Sequence, residues 1–343
     1  MDDIARLKSK DRSDLFQAAA EERELSAGLL EKDFWVCWVL RRIYTLADPR
    51  AKIYFKGGTS LSKVFGVIDR MSEDVDLVID RSDLGFEGDK DPTKPGLSNK
   101  ARQRIVDEIK ASARLFISNQ LKAALDQAIE VALGGTASAD TWSTTLADDD
   151  PDDQTILFHY PTIEQPSAYV RPMVRLELGA RSDPWPTVTG TIHPYAADVF
   201  PDQFAQPDTR IPLVVAPERT FWEKATILHM LHHQPVDKPP GPRMARHYYD
   251  TYRLAHHEFG RKALADTALL ARVVEHKRLF FPRAWARYEL AKPGSLKLTP
   301  PQHLRALLRT DYEEMAEEMM FGEVPDFESV VAELERVEAA INA

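Results

Sequence analysis

The stretch from residue 53 to residue 80, IYFKGGTSLSKVFGVIDRMSEDVDLVID, leaves the chain little freedom in how it folds. Ile53, Tyr54 and Phe55 form a short β-prone run, Gly57-Gly58 breaks it, and Leu61, Val64, Phe65 and Ile68 then recur at helical spacing. The expected path is a strand, a tight glycine turn and a helix. In the strand that follows, Val75, Leu77 and Ile79 alternate with Asp74, Asp76, Val78 and Asp80. A period of two sends the first set into a core and places Asp74 and Asp76 on the other face, about 7 Å apart. Two such carboxylates suit a hard divalent cation such as Mg²⁺, which binds through one or two carboxylates together with substrate phosphates. The glycine turn is the complement, because backbone N–H groups with no Cβ in the way can approach a triphosphate.

A lone D-x-D or a lone G-G says little. The combination GG-T-x-L-x-K, with S-E-D-x-D-L beginning fourteen residues after Gly58, is much more specific. No G-x-x-x-x-G-K-[ST] occurs, which excludes a Walker loop, and no glycine stands at the sixth position that an EF-hand loop requires. The wording FKGGTSLSKVF…RMSEDVDL resembles the polymerase-β-type nucleotidyltransferase core and, within it, the AbiEii/AbiGii toxin branch. The resemblance implies an α/β (α+β) fold, with a small mixed sheet and a C-terminal helical domain. It implies Mg²⁺-dependent transfer of a nucleotide from an NTP to an acceptor hydroxyl, with Asp74 and Asp76 as metal ligands. Gly57, Gly58, Thr59, Lys63 and Ser72 are the nucleotide-binding candidates of this stretch. It also implies a toxin–antitoxin or phage-defence role, a cognate antitoxin and tRNA as acceptor. A protein or small-molecule acceptor, and a nucleotide-binding module without turnover, are the alternatives.

The chain has 343 residues, enough for a core and a helical annex, which are placed at 1–205, with a helical insertion near 81–153, and at 206–343. A net charge of −10 argues against non-specific wrapping of nucleic acid but leaves room for a local basic groove. Cys37 is the single cysteine, so no intramolecular disulfide forms, and a reducing cytoplasm is expected. No apolar run approaches the ~20 residues that cross a bilayer, so no membrane partner is expected.

Further along, LLEKDFWVCWVLRRIY reads as a helix with Asp33 inside its apolar arc and Lys32 near the edge, an internal ion pair or part of the nucleotide cleft. Residues 100–133 read as helical, and the carboxylate run 148–153 as a solvated loop. Strands are expected at 155–160, 169–179, 188–192 and 210–216. Glu177 is the candidate third carboxylate, as metal ligand or general base, with a same-face pair to Arg175 as its structural alternative. In PERTFWEKATILHMLHH, Lys224 lies within an apolar arc, and T-F-W-E-K resembles the family's lysine motif, so it is assigned to the triphosphate. His229, His232 and His233 lack the H-E-x-x-H pattern of a zinc site and read as helix-surface residues. RHYYDTYRL resembles the family's final motif, which assigns Asp250 to the site, although Arg246 four residues earlier is a possible ion-pair partner. Finally, HKRLFFPRAWARYE mixes cations with aromatics, the composition that grips single-stranded RNA or, alternatively, forms a core stripe with a charged face.

Overall fold

A computed structural model describes residues 1–46, 50–72, 74–134, 142–163 and 172–343. Glu73 of the S-E-D motif and residues 169–171 of one expected strand lie outside the described residues. Seven strands form one mixed sheet: β1 (Ile53–Lys56), β2 (Asp74–Ile79), β3 (Ser143–Leu146), β4 (Thr155–His159), β5 (Met173–Glu177), β6 (Thr187–Ile192) and β7 (Thr209–Val215). Their order is β3-β4-β5-β2-β1-β7-β6. The antiparallel pair of β1 and β2 sits in the middle, flanked by β5 parallel to β2 and β7 parallel to β1. Parallel neighbours need long crossovers, and the chain supplies them as helices and loops over the sheet.

The helix Ala27–Tyr44 is buried almost all round, with Glu31, Lys32 and Asp33 buried among its apolar residues. Trp35 stacks on Tyr160 at 5.5 Å and Trp38 on Phe158 at 5.8 Å, seating this helix on the sheet next to β4. The 99–133 region forms Asn99–Phe116 and Lys122–Leu133, joined without a break by a π-turn at Ile117–Leu121. Two features differ from expectation. An edge strand, β3, lies inside the region placed as a helical insertion, 81–153. β7, beyond residue 205, is a central part of the sheet through its pairing with β1.

Two apolar cores result. One joins the sheet to the N-terminal helices, and the other gathers Phe221, Trp222, Tyr248, Leu308, Leu334 and their neighbours from the C-terminal helices. Leu61, Val67 and Ile68, which separate the glycine turn from the D-x-D strand, belong to the second core. The same segment is sewn to the C-terminal part by backbone: Met71 N–H donates to Met319 O at 2.8 Å, and Phe321 N–H to Asp69 O at 3.0 Å. The helix after the glycines therefore covers only Gly57–Lys63. The later apolar residues leave the helix and turn into the other core.

Candidate active site

β2 presents Asp74 and Asp76 on one face, as the period of two requires. In the parallel register with β5, Asp76 lies opposite Glu177 and Asp74 opposite Arg175, while on the other side Asp76 lies opposite Lys56 of β1. Lys56, Asp76 and Glu177 thus form one row across three strands. Gly57 follows at φ +79°, and a Cβ placed on it would fall 1.9 Å from Asp76 Oδ2. Both the left-handed backbone and the lack of space demand glycine here. A Cβ on Gly58 would meet Ser72 Oγ at 2.8 Å and Arg70 Nη2 at 2.9 Å. The turn is pressed against Asp76 and Ser72.

The opposing wall is helical. Lys224, on the helix Pro217–His232, places Nζ 2.7 Å from Oδ2 of Asp250, on the helix Ala245–His256. Arg70 holds the same carboxylate in a fork, Nε to Oδ1 at 2.8 Å and Nη2 to Oδ2 at 2.7 Å. Asp250 is fully buried. Burial alone would raise its pKa, but Arg70 and Lys224 hold it well below the usual carboxylate range. Burial lowers the Lys224 ammonium, and Asp250 partly offsets this. Two cations share one carboxylate, so the triad keeps a surplus positive charge beside the glycine turn.

Gly57, Gly58, Ser72, Asp74, Asp76, Glu177, Lys224, Arg70 and Arg246 line one cleft. A second cavity of about 360 Å³ lies on the other side of Asp74, walled by Lys32, Asp149, Arg175 and Arg243. Glu177 answers to both of its readings. Arg175 Nε donates to Oε1 at 3.0 Å, yet the carboxyl is pushed up by burial and by Asp74 and Asp76.

Several expectations need correction. Lys63 does not reach the cleft: its Nζ lies 2.7 Å from Asp33 and 3.4 Å from the centre of the Tyr195 ring, buried in the sheet-side core. Thr59 is also turned inward, its hydroxyl donating to Asp74 O at 2.6 Å, so it braces the D-x-D strand. Asp250 does not line the cleft, because both oxygens are taken by Arg70 and Lys224. It positions Lys224 instead. Arg246 pairs with Asp74 at 3.5 Å and not with Asp250. Asp33 is structural, as an ion-pair partner of Lys63 that also accepts from Tyr195 N–H at 2.6 Å, whereas Lys32 lines the second cavity. His229 is buried, bonded to Arg287 O and Lys297 N, and is no surface residue.

Three residues of the cleft went unread. Arg70 is one, and the sign of it is an arginine two residues before Ser72, where the chain is otherwise turning into apolar packing. Lys56 is another. Burial would lower it, but Glu223 and Asp76 hold it above the usual lysine value. Glu223 is the third, held down to about 2 against the effect of burial by Lys56 and Arg219.

Asp76 is partly buried and makes no hydrogen bond or ion pair with any described residue. Lys56 on the neighbouring strand balances its charge without bonding it, so the carboxylate oxygens stay open to a cation. Together with Asp74 it offers the all-oxygen donor set that fits a hard divalent cation.

A mixed sheet that carries paired carboxylates opposite a cationic helical wall is the layout of a nucleotide-transferring enzyme. The chain belongs to the AbiEii family, the nucleotidyl transferase AbiEii toxins of type IV toxin–antitoxin systems, whose profile matches residues 38–335. It is accordingly a nucleotidyltransferase toxin, and membership implies an NTP substrate, a divalent metal and an antitoxin partner. A similar solved structure is MenT4, a nucleotidyltransferase toxin from Mycobacterium tuberculosis H37Rv, at 15% identity. It covers 98% of this chain and 100% of that chain, with a TM-score of 0.42. No curated protein sequence matches the chain. Among the described residues no helix is long and apolar enough to cross a membrane.

Proposed function

We propose that the protein transfers a nucleotide from an NTP, with Mg²⁺, to the 3′ hydroxyl of a tRNA, and that this is its toxic act in a cytoplasmic phage-defence pair. The observation that carries the chemistry is the row of Asp76 and Glu177, with Asp74 two residues away on the same face, set against a glycine that leaves no room for a side chain.

Asp74 and Asp76 would hold the metal, which supplies charge neutralisation along the triphosphate when bound. The Gly57-Gly58 backbone gives the phosphates close approach, and Ser72 offers a hydroxyl at their side. Lys224, fixed by Asp250 and Arg70, presents a positive charge to the oxygens that become pyrophosphate. Arg246, 3.5 Å from Asp74 in the cleft lining, adds a further positive charge for the phosphates. Glu177, with its raised pKa, accepts the proton of the attacking hydroxyl. The new bond joins that oxygen to the α-phosphorus, and the bond from the α-phosphorus to the bridging oxygen of pyrophosphate breaks.

The test is incubation of the protein and Mg²⁺ with each α-labelled NTP, total RNA and lysate protein. Label is expected in tRNA-sized RNA, absent with Asp74→Ala and absent after periodate oxidation of the RNA 3′ end. Label confined to protein or a small molecule would reassign the acceptor. Absence of both label and pyrophosphate release would leave only nucleotide binding.

A further inference from the structure

Residues 276–287 hold Lys277, Arg278, Arg283 and Arg287 and no Asp or Glu, in a chain whose net charge is −10. The fold brings this run against the 181–185 loop. His276 Nε2 meets Arg181 O at 2.8 Å, and Arg272 Nε lies 2.6 Å from Asp183. Aromatic rings and cations then pair along one surface. Arg272 lies 4.5 Å from the centre of Trp185, Arg181 5.0 Å and Lys277 5.4 Å from Phe281, and Arg283 5.6 Å from Trp285. Trp185 is 52% exposed, well beyond what an ordinary packing residue of its size shows.

Arg278 and Arg287 pair at the surface with Glu275 and Glu289, Asp183 is shared by Arg219 and Arg272, and Lys277 faces Glu223. Arg283, by contrast, has no carboxylate partner among the described residues and stands beside Trp285 as the open cation of this surface. The surface also reaches the cleft. Arg219 bridges Asp183 at 3.0 Å to Glu223 at 2.9 Å, and Glu223 and Lys56 line the nucleotide site.

We propose that the 181–185 loop, the end of the helix Thr267–Phe280 and the 281–287 turn form the docking platform for the single-stranded end of the acceptor RNA. Aromatic faces and guanidinium planes are what unpaired bases stack on, and separate cations suit a few phosphates rather than a duplex tract. The proposal rests on the reading that the acceptor is RNA.

Steady-state transfer with total tRNA tests it, using Trp185→Ala and Arg283→Glu, each checked by circular dichroism. Each substitution is expected to raise the KM for RNA roughly tenfold while the KM for NTP stays within about twofold. Arg283→Glu should also flatten the salt dependence of RNA binding, by about 0.7 in the log–log slope for each phosphate that is no longer neutralised. If Trp185→Ala does not fold, Arg283→Glu alone decides. RNA labelling by the wild type with an unchanged KM for RNA in the variants would overturn the platform alone. Failure of the wild type to label RNA would overturn the acceptor reading and the platform with it.

Discussion

The two walls of the cleft are built on different principles. On the sheet wall, the ladder of β1, β2 and β5 sets where Lys56, Asp76 and Glu177 stand, and the backbone would hold those positions whatever the side chains were. On the helical wall the charges themselves are the geometry, because Arg70, Lys224 and Asp250 come from three separate segments and meet only in each other. The first wall can lose a charge and keep its shape. The second cannot.

The sharpest test is Asp250→Ala. It leaves two buried cations unpaired, a defect that costs about 3–5 kcal/mol. Chemical denaturation should show that loss, and transfer should vanish with it. A variant of wild-type stability would break the contrast between the walls. Asp76→Asn comes next. Transfer should fall by about a hundredfold or more, roughly 3 kcal/mol of transition-state stabilisation. Its melting temperature should stay near that of the wild type, because Asp76 makes no hydrogen bond or ion pair with a described residue and Lys56 opposite it keeps Glu223. Marked destabilisation would show that the sheet wall also depends on its charges.

The smallest effect per residue is on acid stability. Burial holds His229 and His276, both among the C-terminal helices, down to about 4. In the unfolded chain they bind protons near pH 6.5, so between these values the unfolded state binds more protons and stability falls as the pH drops. Thermal melts at pH 7 and pH 4.5 should differ by roughly 2 kcal/mol in folding free energy for each of these histidines. Asp250 behaves separately: its contribution is present above its unfolded value near 3.9 and disappears only below that. Unchanged stability down to pH 4.5 would remove the histidines from this account.

The sheet wall was largely legible because a strand announces itself at short range. The alternation around Asp74 and Asp76 names the face, and Glu177 stands out by the same alternation in its own strand. Register was not legible, since nothing in either strand says that Asp76 and not Asp74 faces Glu177. Lys63 was misplaced because its true surroundings, Asp33 and Tyr195, lie thirty residues before it and far after it. The triad was half read. Lys224 and Asp250 carry recognisable wording, but Arg70 meets Asp250 across 180 residues, and no periodicity reports that. β3 escaped because Ser-Thr-Thr-Leu is short, lies at an edge and is bordered by loop chemistry.

The segment from Leu61 to Met71 sets Leu61, Val67 and Ile68 in the C-terminal core, touches the sheet-side core through Val64, and carries Arg70 to Asp250. Its placement bears on how such a protein can diversify. A crossover between relatives anywhere from the D-x-D strand to the helix of Lys224 would pair this segment with C-terminal helices it did not evolve beside. Leu61, Val67 and Ile68 would meet a foreign core, and the guanidinium a foreign carboxylate. The heritable unit is therefore the cleft with both walls.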